Sequence, residues 1–204
     1  MKKKHTYIFF FSCFLFFGNL INAQINPKNS IKLITSKTEF FADETIVLEF
    51  ATPSKTIMQL YCSNSYGSIL LTSELENKKL SFIIPSHFSS KRGVINWKLI
   101  NNKNSLSGSI KIIPSTTPVS LETYIGPPSI VAGGTDYTMF IVIPTDKLDN
   151  PLPQNTEVTI QQQFLSEEKK ENIFTYNLIA YKNIYSPLKS GKTLLSSASL
   201  NLNS

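Results

Sequence analysis

The chain is poor in the residues that build most reactive centres. It has 2 cysteines, Cys13 and Cys62, and 2 histidines, His5 and His87, in 204 residues. Arg92 is its only arginine and Trp97 its only tryptophan. With no arginine block and no basic stripe interleaved with aromatics, nucleic-acid binding is excluded. A single histidine beyond the N-terminus excludes a histidine-rich zinc site. His87 lies in the polar stretch PSHFSSKRG, read as a loop. No G-x-S-x-G elbow places a serine for it, so a Ser–His–Asp triad has no frame. Ala132-Gly133-Gly134-Thr135 lacks the lysine and the following helix of a phosphate loop and reads as a β-turn. No apolar stripe of helical period is found anywhere in the chain.

The N-terminus holds an export signal. MKKKH is positive, residues 7–21 are apolar, and Asn22-Ala23 precede Gln24 where a cleavage site would fall. The apolar run is shorter than the ~20 residues that span a bilayer. Cys13 sits inside the run instead of after it, which argues against a lipid anchor. Residues 1–23 are therefore expected to be a signal peptide, with membrane contact limited to export. Their removal takes Lys2, Lys3 and Lys4 and no acid, so the formal charge falls from +6 to +3. Cys62 is then alone in an oxidising compartment. It alternates with Met58 and Leu60, the pattern of a small buried hydrophobe and not of an activated thiol.

What fills the rest is short runs of period-two alternation, the signature of half-buried antiparallel strands. The first set is IKLIT (31–35), TIVLEFA (45–51), IMQLYCS (57–63), SILLT (68–72), LSFIIP (80–85), GVINWKLI (93–100) and SGSIKIIP (107–114). Turn-like residues separate them at Thr52-Pro53-Ser54, Ser65-Tyr66-Gly67, Lys91-Arg92-Gly93 and 101–104. About seven short strands at regular spacing predict an immunoglobulin-like sandwich. The cysteine pair and early tryptophan of antibody domains are absent. PSTTPVS (114–120) reads as a linker, because its prolines cannot donate to a ladder. Beyond it come LETY (121–124), SIV (129–131), TDYTMFIVIP (135–144), TEVTIQQQF (156–164), IFTYNLIAYKNIY (173–185) as one strand or two, and GKTLLSSASL (191–200). TDYTMFIVIP is apolar on both faces, which predicts a central strand. LSEEKKEN (165–172) reads as a charged hairpin tip.

The stretch PTDKLDNPLPQNTEVTI (144–160) draws attention for its clustered oxygens. Calcium takes about six to eight of them, and Asp146, Asp149 and Asn150 are the candidates the sequence offers. The same residues turn a β-chain through side-chain bonds to the backbone, and Pro151 and Pro153 then hold it extended. The turn is the expected reading, so no catalytic, cofactor-binding or metal-binding residue is assigned and no cofactor is expected. Tyr124, Tyr137, Tyr176, Tyr181 and Tyr185 are either a contact surface or ordinary strand residues.

Asp146, Asp149, Asn150 and Pro151, followed by Thr156-Glu157-Val158-Thr159-Ile160, resemble the turn and next strand of invasin/intimin-type bacterial Ig-like domains. The resemblance covers residues 128–164 and implies a spacer or adhesive module on a cell surface. Asp149-Asn150 replaces the commoner Gly-Asn pair, and no outer-membrane barrel precedes it, so barrel attachment is not implied. The first half is similar to a generic Ig-like or macroglobulin-type module.

The expectation is thus an all-β exported protein: signal peptide 1–23, a sandwich over 30–114, a linker at 115–120 and a second sandwich over 121–204. The second half shows five or six strands where a sandwich has about seven. That leaves open a fragment of a longer protein or an unpaired edge on the last strand, ready for β-strand addition by a partner. The expected function is a non-catalytic binding or structural module of the periplasm or cell surface, contacting a protein or cell-surface component. The alternatives are an accessory domain of a larger secreted macroglobulin-like or adhesin assembly and, last, a secreted hydrolase.

Overall fold

The computed structural model describes residues 30–53, 55–100 and 105–204. The expected signal peptide with Cys13, Ser54 of the first turn, and the turn at 101–104 lie outside them. Among the described residues the architecture is all-β apart from one helical turn, and forms two sandwiches in tandem.

The first sandwich contains β1 (Lys32–Leu33), β2 (Glu39–Phe41), β3 (Ile46–Ala51), β4 (Gln59–Asn64), β5 (Gly67–Thr72), β6 (Glu74–Glu76), β7 (Lys79–Ile84), the helical turn α1 (Ser86–Ser89), β8 (Gly93–Ile100) and β9 (Leu106–Ile113). One sheet has the order β1-β3-β7-β6 and the other β2-β9-β8-β4-β5. Alternation sets the facing sides. Ile46, Leu48 and Phe50 on β3 stand opposite Ile84, Phe82 and Leu80 on β7, and all six are buried. From the second sheet come Leu60, Cys62, Ile95, Trp97, Leu99, Ile110 and Ile112. Phe50 joins the layers, its ring edge-on to Phe82 at 5.7 Å and to Trp97 at 5.4 Å. Such pairs add roughly 0.5–1.5 kcal/mol beyond the burial of the rings themselves. Burial pushes the Cys62 thiol up to about 11, so it packs as a hydrophobe.

Two pairings depart from the alternation pattern. β2 runs parallel to β9, with Phe41 beside Ile113, so the chain leaves one sheet as β1 and joins the other as β2. IKLIT contributes only Lys32–Leu33 to a ladder. His87 belongs to α1 and not to a loop.

The second sandwich contains β10 (Ser120–Gly126), β11 (Tyr137–Thr145), β12 (Glu157–Phe164), β13 (Glu167–Phe174), β14 (Ala180–Tyr185), β15 (Thr193–Ser199) and β16 (Leu202–Asn203). Its sheets have the orders β10-β11-β14 and β13-β12-β15-β16. β11 is central to its sheet, as its two apolar faces require. The strand number is seven, against five or six expected. The difference comes from β13 and β16. The charged segment LSEEKKEN is not a hairpin tip. Leu165 and Ser166 make the turn, with Leu165 at φ 54°, and Glu167 onward is paired along the whole length of β12. β13 is an edge strand exposed on both faces, so no alternation is imposed on it. SIV (129–131) is not a strand. Pro127 and Pro128 interrupt pairing, and the Val131 N–H donates to Asp136 Oδ2 at 2.8 Å. IFTYNLIAYKNIY splits in two where Asn177 and Leu178 turn with positive φ.

β15 has an uneven partnership. β12 covers one side over Thr193–Ala198, while β16 covers the other only at Ala198 and Ser199. The core here is small: Phe140, Val142, Val158, Ile160, Ala180 and Ile184, six buried apolar residues against sixteen in the first sandwich. At the opposite margin Lys182 of β14 pairs with Glu171 of β13, closing the gap between the sheets.

Trp97 lies across from Gly108, where an added Cβ would stand 2.5 Å from the indole ring. The ring therefore folds over β9 only because position 108 has no side chain. Gly108→Val is expected to destabilise the protein by about 1–3 kcal/mol. Urea unfolding followed by Trp97 fluorescence measures this. Ser107→Val, one residue away and facing outward, is expected to leave the midpoint nearly unchanged.

Candidate functional site

The loop between β11 and β12 gathers a dense set of bonded polar side chains. It is built around Asp146, which is 4% exposed, and Asn150, which is 1% exposed. A buried carboxylate must be met by donors, or it costs several kcal/mol to keep charged. Here Asp146 Oδ1 accepts the N–H groups of Leu148 and Asn150, both at 2.9 Å, and the Asn150 amide at 3.2 Å. Its Oδ2 accepts the Ser115 N–H at 3.1 Å. Burial, the largest single influence, pushes the Asp146 pKa up, but these N–H donors together outweigh it and hold the carboxyl below its ordinary value. Asp149 takes up the left-handed conformation at φ 60° that the reversal needs.

The loop does more than turn the chain. Asn150 reaches into the first sandwich like an extra peptide group. Its Oδ1 accepts the Arg92 N–H at 2.8 Å and its Nδ2 donates to the Ser90 carbonyl at 2.9 Å. Lys91 Nζ donates to the Leu148 carbonyl at 2.7 Å, and Arg92 donates to the Pro151 carbonyl at 3.1 Å. Lys147 pairs with Asp43 at 2.7 Å. Leu148, the apolar residue at the tip, packs against the core of the first sandwich. The arrangement is a clasp between the two sandwiches. Its acceptor oxygens already hold donors, so a cation at Asp146 and Asn150 would have to displace N–H groups. Asp149 points its carboxylate outward, 70% exposed, within 3.5 Å of Lys91.

The remaining candidates are scattered. His87 is exposed on α1, with its carbonyl accepting from Ser90 Oγ. Gly133 and Gly134 form a turn with positive φ, held by the Pro187 carbonyl and Ser186 Oγ. Tyr124, Tyr137, Tyr181 and Tyr185 share the outer, exposed face of the β10-β11-β14 sheet, where Tyr124 and Tyr181 flank Ile141 and Tyr137 stands opposite Tyr185. Tyr176 is exposed in the turn before β14. Among the described residues no three His, Cys, Asp or Glu side chains converge as metal ligands. Sequence reasoning missed Ser90, Lys91, Arg92 and Ser115 as partners of the loop. The available signal was Leu148, an apolar residue at the tip of a polar turn.

No family model and no curated protein matches the chain. Solved structures with a partial likeness include a glycosyl hydrolase family 2 member from Bacteroides cellulosilyticus DSM 14838, at 12% identity and TM-score 0.40 over 79% of this chain and 24% of that one. Trypsin-activated alpha-2-macroglobulin from Escherichia coli gives 12% identity and TM-score 0.36 over 82% and 14%. The BSP domain of a biofilm associated protein gives 17% identity and TM-score 0.31 over 88% and 29%. This chain thus spans less than a third of each of these chains. The sandwich assignment rests on the strand order above and not on these superpositions.

Two outcomes follow from the clasp. Asn150→Ala leaves the half-buried Arg92 N–H and Ser90 carbonyl without the Asn150 side chain and is expected to cost about 1–3 kcal/mol in a denaturant titration. Because the folded Asp146 pKa lies below its unfolded value of about 3.9, its contribution is complete above that pH and is lost as pH falls through the folded pKa. Asp146→Asn should flatten that acid limb. Separately, millimolar calcium is expected to leave the melting temperature unchanged, and a rise abolished by Asp149→Asn would show a cation site.

Proposed function

We propose that the chain is an exported, non-catalytic Ig-like module of the cell envelope or surface that works by recognition or spacing. The observation behind this reading is the clasp. The oxygens that most resembled a reactive or metal site are engaged in holding two sandwiches as one unit. A fixed pair of sandwiches suits a part that presents surfaces at a set separation, and interdomain contacts this polar are otherwise compatible with relative motion. Export is supported by the tripartite N-terminus. The small core of the second sandwich favours a second reading, in which the chain is an accessory domain of a larger secreted assembly of macroglobulin-like or adhesin type.

The test is made on the protein recovered from its own cells and on the same protein purified. It is expected in the envelope or the medium with Gln24 as its first residue, and to bind a component of envelope extract saturably. Chromogenic esters and glycosides are expected to stay intact in its presence. Retention in the cytoplasm with residues 1–23 attached would overturn export. Turnover that disappears in His87→Ala would overturn the non-catalytic reading.

A further inference from the structure

The outer face of the β10-β11-β14 sheet departs from the usual make-up of a solvated sheet face. Alternate side chains leave a strand on opposite sides, and the side facing water is ordinarily polar. On β11 the outward residues include Tyr137, Met139 and Ile141, and on β14 they are Tyr181, Asn183 and Tyr185. Tyr124 of β10 stands across from Ile141. The four tyrosines are 46–58% exposed. The larger sheet of the first sandwich follows the usual pattern, setting Tyr61 across from Lys98 and Ser63 across from Asn96. Two charged residues occur on β10, β11 and β14. Lys182 turns to the inner side, where it meets Glu171. Glu122 lies outward and accepts the Tyr124 O–H at 2.9 Å. The face is thus aromatic, with a carboxylate and no cation.

Asn183 stands between Tyr181 and Tyr185 on β14. Its Oδ1 is covered and accepts no hydrogen bond from the described residues. Covered side-chain acceptors nearly always have a partner, so an orphan of this kind calls for a donor. Rotation of the amide about its last bond brings Oδ1 out among the rings, where a donor from outside can reach it. The rings themselves are held in place. Tyr124 is tied to Glu122, and the Tyr137 and Tyr185 rings lie 5.7 Å apart, inclined by 52°. From Tyr124 to Tyr181 the patch measures two strand spacings, about 10 Å, and from Tyr181 to Tyr185 four residues, about 13 Å. That is a small fraction of the roughly 800 Å² that each side of a stable protein interface buries. It is the scale of a few sugar rings.

We propose that this face binds an extended, neutral glycan of β-1,4-linked, glucose-type sugars. The inference deepens the binding-module reading above and rests on it. In such sugars the ring substituents are equatorial, so both ring faces present C–H groups and the hydroxyls line the edges. The C–H groups are weakly positive and sit against the negative faces of tyrosine rings, a milder form of the attraction that cations feel there. The glycan crosses the strands, laying alternate sugars on Tyr124 and Tyr181 with Ile141 between them. Its edge hydroxyls supply the donor that Asn183 lacks. With Glu122 on the face and no outward cation on these three strands, phosphates, anionic lipids and acidic glycans are turned away.

The probe is cellohexaose, titrated into the purified protein and followed by NMR of the backbone amides and the Asn183 side-chain amide. Binding is expected to shift Tyr124, Tyr181 and Asn183, to leave the first sandwich unchanged, and to be indifferent to salt. Maltohexaose, whose α-linkages curl the chain off a flat patch, and oligogalacturonate, which is acidic, are each expected to bind about tenfold more weakly or worse. Tyr124→Ala with Tyr181→Ala should lower the affinity by about tenfold or more, since both rings face outward from the core. Asn183→Leu separates a binding role from a structural one. It should weaken binding about tenfold while the melting temperature does not fall, because the orphan oxygen is removed. Five results would each overturn the proposal. They are no shift with millimolar cellohexaose, equal binding of maltohexaose, unchanged affinity in the tyrosine double variant, a lower melting temperature with unchanged affinity in Asn183→Leu, and a dimer or protein partner that buries these tyrosines in place of the glycan. If the envelope component still binds saturably to the tyrosine double variant, the binding-module reading stands and the proposal fails.

Discussion

The carboxylate of Asp146 is the group on which the relation between the two halves depends. Taken out of water, it must be surrounded by donors, and only a tight loop supplies enough of them within reach. Meeting that demand folds residues 146–150 back on themselves. The fold then aims the Asn150 amide at Ser90 and Arg92 and sets Leu148 against the neighbouring core. Ser115, between β9 and β10, is tied to the same carboxylate. One charge thus organises the loop, the connection and the contact between sandwiches.

That organisation matters because the halves are unequal. The first sandwich holds a large core centred on Phe50, Phe82 and Trp97. The second holds few fully buried apolar side chains and has an opening beside β15. Small cores are marginal alone, since burial grows with domain size while each ordered residue still costs entropy. Docking Leu148 and satisfying several main-chain groups of the larger neighbour supplies order the smaller sandwich does not generate internally. The contact is polar and directional, so it fixes orientation as much as it adds stability.

The sandwich architecture was legible because burial on one face is recorded in side chains. β3 and β8 alternate cleanly, and the residues that alternation turns inward are buried, while β11 was legible from its two apolar faces. Strands that bury little were not legible. β2 and β6 are three residues long, β13 is charged on both faces, and β16 has two residues. Their pairing is carried by main-chain groups, which every sequence has. The candidate site was half legible. The turn is local, and Asp, Asn and Pro announce it. The clasp is not local, because Asn150 finds its partners 58 and 60 residues earlier in Arg92 and Ser90. Nothing in the spacing of those residues encodes their meeting.

At the clasp the oxygens of Asp146 and Asn150 are already engaged by N–H donors, so this part of the loop is structural despite its composition. Clustered carboxylate and amide oxygens suggest a site only while their partners are unknown. Once main-chain N–H groups fill them, the same residues account for a turn and a contact, and residue type alone does not separate the two uses.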